Sequence, residues 1–266
     1  MTGHLPIDTS KPHPARVYDW LLGGRDNYPV DEEMGRQLLT LDSRAHEMAK
    51  VNRGFMHRAT RWLGTTGGVR QYLDIGTGIP TQPNLHQIAQ EVAPDSRVVY
   101  TDNDPIVLRH AEALLRSTQE GATEYVQADA REPDAIIEAA AGILDFDRPV
   151  ALSLVALLHF VSDEDGAHDL VRRLLEPLSP GSYLVLSHAT GDFTPDSAEQ
   201  ARSLYENRGL TLALRSRDEF AEFFTGLELV EPGVALAERW RPDPGEATSA
   251  PGGEPIPGYA GVARKP

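Results

Sequence analysis

Hydrophobic positions recur along this chain at two spacings, and the change from one to the other divides the sequence. Up to residue 68 the spacing is helical. Ala15 to Leu22 predicts a short helix stopped at Gly23-Gly24. Met34, Leu38 and Leu41 share a face of a second helix opening at Asp31. Val51, Phe55, Ala59 and Trp62 share a face of a third, which Ser43 is expected to cap and which ends at Leu63 before Gly64. Residues 1–14 carry three prolines and predict an irregular arm.

From residue 69 strand and helix patterns alternate. Strands are expected over 69–75, 97–101, 123–127, 150–155 and 182–187, with helices over 81–92, 104–117, 133–140 and 163–178. Such alternation implies an α/β fold, doubly wound, with a mostly parallel sheet covered by helices on both faces. The tail breaks the rhythm. Ser216 and Glu219 form a capping box ahead of Phe220, Phe223 and Phe224, followed by strand-like segments over 227–230, 231–240 and 258–263. Residues 241–257, rich in Pro, Gly, Glu and Ser, predict a mobile loop. The expected organisation is an N-terminal arm and helical cap over 1–68 and a core over 69–266.

Composition narrows the chemistry. The 266 residues are 40% hydrophobic and 24% charged, enough apolar material for a substantial core. The absence of cysteine excludes disulfides, thiolate metal sites and a cysteine nucleophile. Formal net charge is −15, which opposes nonspecific binding to a nucleic-acid backbone. Residues 1–70 carry a balance of +2 and residues 71–266 one of −17, so the helical start has a surface suited to lie against the acidic remainder. No stretch approaches the roughly 18–20 apolar residues of a membrane span, and the first residues lack an apolar signal core, so a cytoplasmic location is expected.

The segment Tyr72-Leu-Asp-Ile-Gly-Thr-Gly-Ile-Pro-Thr81 runs from a strand into Gly76-x-Gly78 and towards a helix. Glycines there let a ligand approach the backbone, and a helix start offers amide donors. A dinucleotide fingerprint would place its third glycine where Thr81 stands. Pro80 also removes a donor from the turn that would hold a pyrophosphate. The carboxylate of Asp74 would repel a pyrophosphate but suits an ammonium. S-adenosylmethionine, with an ammonium, a sulfonium and no phosphate, fits better than NAD. Asp102 ends the second strand, twenty-four residues beyond Gly78, where a carboxylate can accept both ribose hydroxyls. Asp104 reads as the cap of the next helix. The pair alone does not make a metal site, and none is expected. Asp129 and Ala130 end the third strand, level with Gly76 and Asp102. There a carboxylate and a backbone donor suit an adenine edge.

With these three loops the sequence resembles a class I S-adenosylmethionine-dependent methyltransferase. More narrowly it resembles an actinobacterial S-adenosyl methyltransferase family of uncharacterised substrate. Its carrying segments are residues 14–28, Asn52-Arg53-x-Phe55, residues 73–81, Tyr100-x-Asp-Asn-Asp-Pro105 and Gly258-Tyr-Ala-Gly-Val-Ala-Arg264. The resemblance implies a Rossmann-like seven-stranded sheet with a reversed last strand, and N-terminal helices capping the cofactor. It also implies that Asp74, Gly76 and Gly78 line the methionine end, Asp102 and Asn103 the ribose and adenine edge, and Asp129 and Ala130 the adenine. Pro80 departs from the third glycine that many methyltransferases carry.

Within the cap, Arg16, Arg25 and Arg53 are candidates for the cofactor carboxylate, the alternative being pairing with acidic residues of the core. Tyr18 and Tyr28 are candidates to close over the sulfonium, or simply to pack the cap. Gly23-Gly24 is a candidate hinge for closure. His159, after the fourth strand, is the best candidate for a general base, against the alternative of a structural histidine in an apolar segment. His188 is a weaker candidate. Methyl transfer to a small-molecule acceptor is the leading expectation. A catalytically silent cofactor-binding regulator and a NAD(P)-dependent oxidoreductase are the alternatives.

Overall fold

A computed structural model describes residues 8–114, 116–245 and 253–266. The first seven residues of the expected arm, residue 115 of the helix expected over 104–117, and residues 246–252 of the loop expected over 241–257 lie outside the described residues. The helices are α1 (Pro14–Leu21), α2 (Pro29–Leu41), α3 (Ala45–Thr65), α4 (Leu85–Val92), α5 (Pro105–Leu114), α6 (Pro133–Ala140), α7 (Ala167–Leu175), α8 (Pro195–Glu206) and α9 (Arg217–Glu222). The strands are β1 (Gln71–Ile75), β2 (Arg97–Asp102), β3 (Ala122–Gln127), β4 (Ala151–Val155), β5 (Tyr183–Ala189), β6 (Glu228–Leu229), β7 (Ala235–Leu236) and β8 (Gly258–Arg264).

The sheet runs β3-β2-β1-β4-β5-β8-β6, with the short β7 also pairing to β8. The first five strands are mutually parallel, and β8 enters antiparallel beside β5, with Val185 opposite Val262. This is the Rossmann-like methyltransferase arrangement, a mixed and mostly parallel sheet with helices before the first strand. Strand alternation divides the core between two faces. Leu73, Ile75, Leu152, Leu154, Leu184 and Leu186 pack with α6, α7 and α9 on one face. Tyr72, Val98, Val185 and Val262 pack on the other, against Phe55, Met56, Ala59 and Leu63 of α3 and against Trp240. The expected α3 stripe thus reaches the sheet itself. A third cluster, Val17, Met34, Tyr205 and Leu212, joins α1 and α2 to α8 and the following segment.

Several boundaries differ from expectation. The helix expected from Thr81 begins at Leu85. Pro80 and Pro83 keep their preceding residues out of the helical region, and Asn84 with Gln87 then forms the capping box that sets the start. Arg44, not Ser43, stands at the α3 N-cap, with its amide held by Asp42. The helix expected from 163 starts at Ala167, after Gly166 turns the chain at φ +83°. The strand expected over 231–240 shrinks to β7, because Pro232 and Gly233 interrupt its start and Ala237–Arg239 form a 3-10 turn at its end. The helix α8 lies outside the expected elements, although Thr194 ahead of Pro195 at its first turn is a start signal.

Candidate functional site

A cavity of about 600 Å³ opens along the carboxyl ends of β1 to β5. At its β1 side, Asp74 is the last inward-facing residue before the glycine turn and is buried. Burial pushes its carboxyl up to about 6, against the opposing pull of Ser153, Thr77 and the Arg53 charge. Gly76 and Gly78 take φ +69° and +67°. A β-carbon at Gly76 would lie 2.6 Å from the Leu157 side chain, whereas one at Gly78 would meet only open space. The turn is therefore held in a conformation that L side chains resist.

Asp102 ties this turn to the next strand. One carboxylate oxygen accepts the Gly78 amide at 2.8 Å and the other the Asp104 amide at 3.0 Å. Burial raises the pKa of Asp102, and the charge of Asp104 adds to the effect. Asn103 is exposed and donates to Asp129 at 3.1 Å, and Asp129 also caps the Arg131 amide. Ala130 lines the cavity beside them. Asp74, Gly76, Gly78, Asp102, Asn103, Asp129 and Ala130 thus meet along one wall, as do Tyr18 and Arg53 from the N-terminal helices.

The other cap candidates separate from this wall. Arg16 is buried, donates to Asp104 at 2.9 Å and lies 3.7 Å from Asp31, with its guanidinium over the Tyr28 ring. Its cation is consumed by the acidic core, so the alternative of pairing is the observed one. Tyr28 opens α2 and packs beside Ile79, Ile106 and Val107 rather than lining the cavity. Arg25 is exposed and does not line the cavity either. The loop behind Gly23-Gly24 is stapled to Asp19, which accepts from the Asp26 amide and the Asn27 side chain. Arg53 reaches the carbonyls of Thr81 and Pro83, bracing the glycine turn from α3.

Two networks have members too far apart in the chain for any local pattern to join them. In the first, the Ala156 amide donates to the Ser187 hydroxyl, which donates to the side-chain oxygen of Asn52. The side-chain nitrogen of Asn52 donates to the Tyr18 hydroxyl at 2.8 Å, which donates to the Ala49 carbonyl at 3.0 Å. This relay joins the ends of β4 and β5 to α3 and α1, and holds Ala156 at φ +55°, a strained conformation for alanine. In the second, buried Arg215 donates to Asp163, to the carbonyls of Leu158 and Val161, and to His188. His188 spends its other nitrogen on the Ala189 carbonyl. Burial lowers its pKa to about 4, and both of its ring nitrogens are engaged.

His159 sits on a 3-10 turn, Leu158–Phe160, just after β4. It lines the cavity, is only 8% exposed, and its Nδ1 has no hydrogen-bond partner. Burial, then the neighbouring His188 and Arg215, hold its pKa well below 6.5, so the ring is neutral at neutral pH. Among the described residues no group of His, Asp and Glu is arranged to hold a metal ion, and no helix is long and apolar enough to cross a membrane.

Comparison with known proteins gives a consistent picture. The sequence profile of the family described as S-adenosyl methyltransferase matches residues 2–266. A DUF574 family protein from Streptomyces avermitilis is 49% identical over 98% of this chain and 100% of its own, with a TM-score of 0.94. A putative methyltransferase from Thermobifida fusca is 37% identical over 97% of this chain and 96% of its own, with a TM-score of 0.88. A SAM-dependent methyltransferase from Anabaena variabilis is 15% identical over 77% of this chain and 80% of its own. Its TM-score of 0.50 speaks for the fold alone. No curated protein matches the chain.

Proposed function

The chain belongs to the S-adenosyl methyltransferase family, and from that premise we propose how its cavity divides the work of an S-adenosylmethionine-dependent methyltransferase. The cofactor lies along the ends of β1 to β3, and a small-molecule acceptor lies below α1, α2 and α8, beyond the end of β4. The observation that carries this reading is the single cavity that joins the glycine turn and three strand-end carboxylates to His159.

The residues present suit the cofactor. Asp74, a buried carboxylate with no ion pair among the described residues, matches an ammonium. Open space over Gly78 leaves room for the ligand where a side chain would intrude. Asp102 uses one lone pair of each oxygen on an amide and keeps the others for two ribose hydroxyls. Asn103, Asp129 and Ala130 suit the adenine edge, and Arg53 and Tyr18 close the wall. S-adenosylmethionine supplies a methyl group made electrophilic by its positive sulfur. The protein's part is then to position the acceptor, to exclude water, and to receive a proton where the acceptor must lose one. A neutral His159 ring at the end of β4 suits that last role. We assign α1 and α2 as the cap and treat α3 as a layer of the core. The net charge of −15 favours a small acceptor over a phosphate backbone.

Calorimetric titration with S-adenosylmethionine, with NAD run in parallel, tests the cofactor site. Heat with the first alone is expected, and heat with NAD alone would overturn the reading. Release of S-adenosylhomocysteine in the presence of an acceptor extract then separates an enzyme from a silent binder.

A further inference from the structure

The half of the cavity away from the glycine turn has a distinct chemistry. Its walls are largely apolar, with Leu38, Met48, Phe160 and Ala201 facing it beside Thr194, Ser197 and Thr211. The ionisable groups that reach it are already satisfied. Asp42 gives both oxygens to Arg44, and His188 gives both ring nitrogens to Arg215 and the Ala189 carbonyl. An occupant carrying a carboxylate would find no unpaired cation among the described residues of this half, and an ammonium no unpaired carboxylate. Burying either charge unpaired is costly.

Two ring side chains stand apart from these pairings. The His159 ring makes no hydrogen bond among the described residues: its Nδ1 is buried without a partner, although such groups in folded proteins are nearly always hydrogen-bonded, and Nε2 is the nitrogen left to the cavity. Tyr205, on α8 and only 7% exposed, lines the same space beside Phe160, with ring centroids 5.8 Å apart. A neutral imidazole is one donor and one acceptor, and a hydroxyl is both. A hydroxyl therefore complements the His159 ring in either tautomer, which a carboxylate or an ammonium cannot do.

We propose that this half of the cavity is the acceptor subsite, and that it takes an uncharged, mainly apolar molecule that presents one hydroxyl to His159. The inference rests on the cofactor assignment above for its direction, since the hydroxyl so held faces the cofactor wall through the same cavity. Neutrality of His159 follows from its burial, and keeps a like charge away from the positive sulfur. Val17, Tyr205 and Leu212 of the third hydrophobic cluster bound the subsite and limit its size.

Four matched probes test it: 2-naphthol, naphthalene, 2-naphthoate and 2-naphthylmethylammonium, titrated by fluorescence into the protein saturated with S-adenosylhomocysteine. Saturation is followed separately by calorimetry, so failure of the cofactor assignment shows as absent heat before any probe is added. The expected result is 2-naphthol binding at least ~10-fold tighter than either charged analogue. Ala201→Trp, which fills the subsite from α8, should weaken 2-naphthol at least ~10-fold while leaving S-adenosylhomocysteine binding unchanged. His159→Leu, which removes the ring without emptying its volume, should abolish the preference for 2-naphthol over naphthalene. Charged probes binding as tightly as 2-naphthol would overturn the proposal. So would 2-naphthol binding that is indifferent to Ala201→Trp, or a hydroxyl preference that survives His159→Leu.

Discussion

Asp74 gives the site a titration that can be worked out in advance. In the free protein its carboxyl titrates near 6, because burial disfavours the charged form. If the carboxylate holds the cofactor's ammonium, only the ionised protein binds well, and apparent affinity scales with the ionised fraction. At pH 7 about nine-tenths of the groups are ionised, and at pH 5 about one-tenth. Affinity should therefore fall about 10-fold between those limits, or about 1.4 kcal/mol. An α-amino group, titrating near 8, stays charged throughout the window. The sign for stability is opposite. A carboxyl whose folded pKa lies above its unfolded value of 3.8 binds more protons when folded, so its contribution to stability declines as pH rises from about 4 to 6. Calorimetry in two buffers of different ionisation heat should also show about half a proton released on binding at pH 6. Asp102, likewise raised by burial, adds its own dependence, so the decisive quantity is the difference between the wild type and Asp74→Asn. A pH dependence of cofactor affinity that is the same in both proteins would refute the assignment of Asp74.

Three other outcomes are expected. Arg16→Met leaves Asp104 and Asp31 buried without their cation and should cost about 3–5 kcal/mol, read by thermal or urea unfolding, with α1 becoming the first site of proteolysis. Asp102→Asn retains a carbonyl for one of its two amide donors but loses the charge, so cofactor affinity should drop at least ~10-fold in a protein that still unfolds cooperatively. Unchanged calorimetric affinity would argue against its ribose role. Ala156→Gly relieves a positive φ and should raise stability or leave it unchanged despite the added chain entropy, whereas Ala156→Val should lower it by more than about 1 kcal/mol, as thermal melts would show.

The local signals in this sequence were sufficient for the α/β order and for the strand-end loops. Period-two apolar runs, the Gly76-x-Gly78 turn and a carboxylate at the end of β2 are encoded within a few residues of one another, and a parallel sheet brings strand ends to one edge by necessity. The same locality gave the Ser216–Glu219 cap, seen with the Ser216 amide 2.7 Å from Glu219. What sequence could not supply was the identity of each side chain's partner. Arg16 and Arg53 look alike in the chain, yet one is spent on Asp104 and the other braces the glycine turn, because α1 docks on the β2–α5 loop while α3 lies across the sheet. The relay through Asn52, Ser187 and Tyr18 joins residues up to 135 positions apart, and no spacing rule spans such distances. His159 was legible as a histidine after a strand. Only packing decided that its ring is buried and neutral with one nitrogen unpartnered, whereas His188, 29 positions on, is fully paired. Hydrophobic periodicity is a property of neighbours in sequence. Pairing, burial and the proton affinities they set belong to neighbours in space.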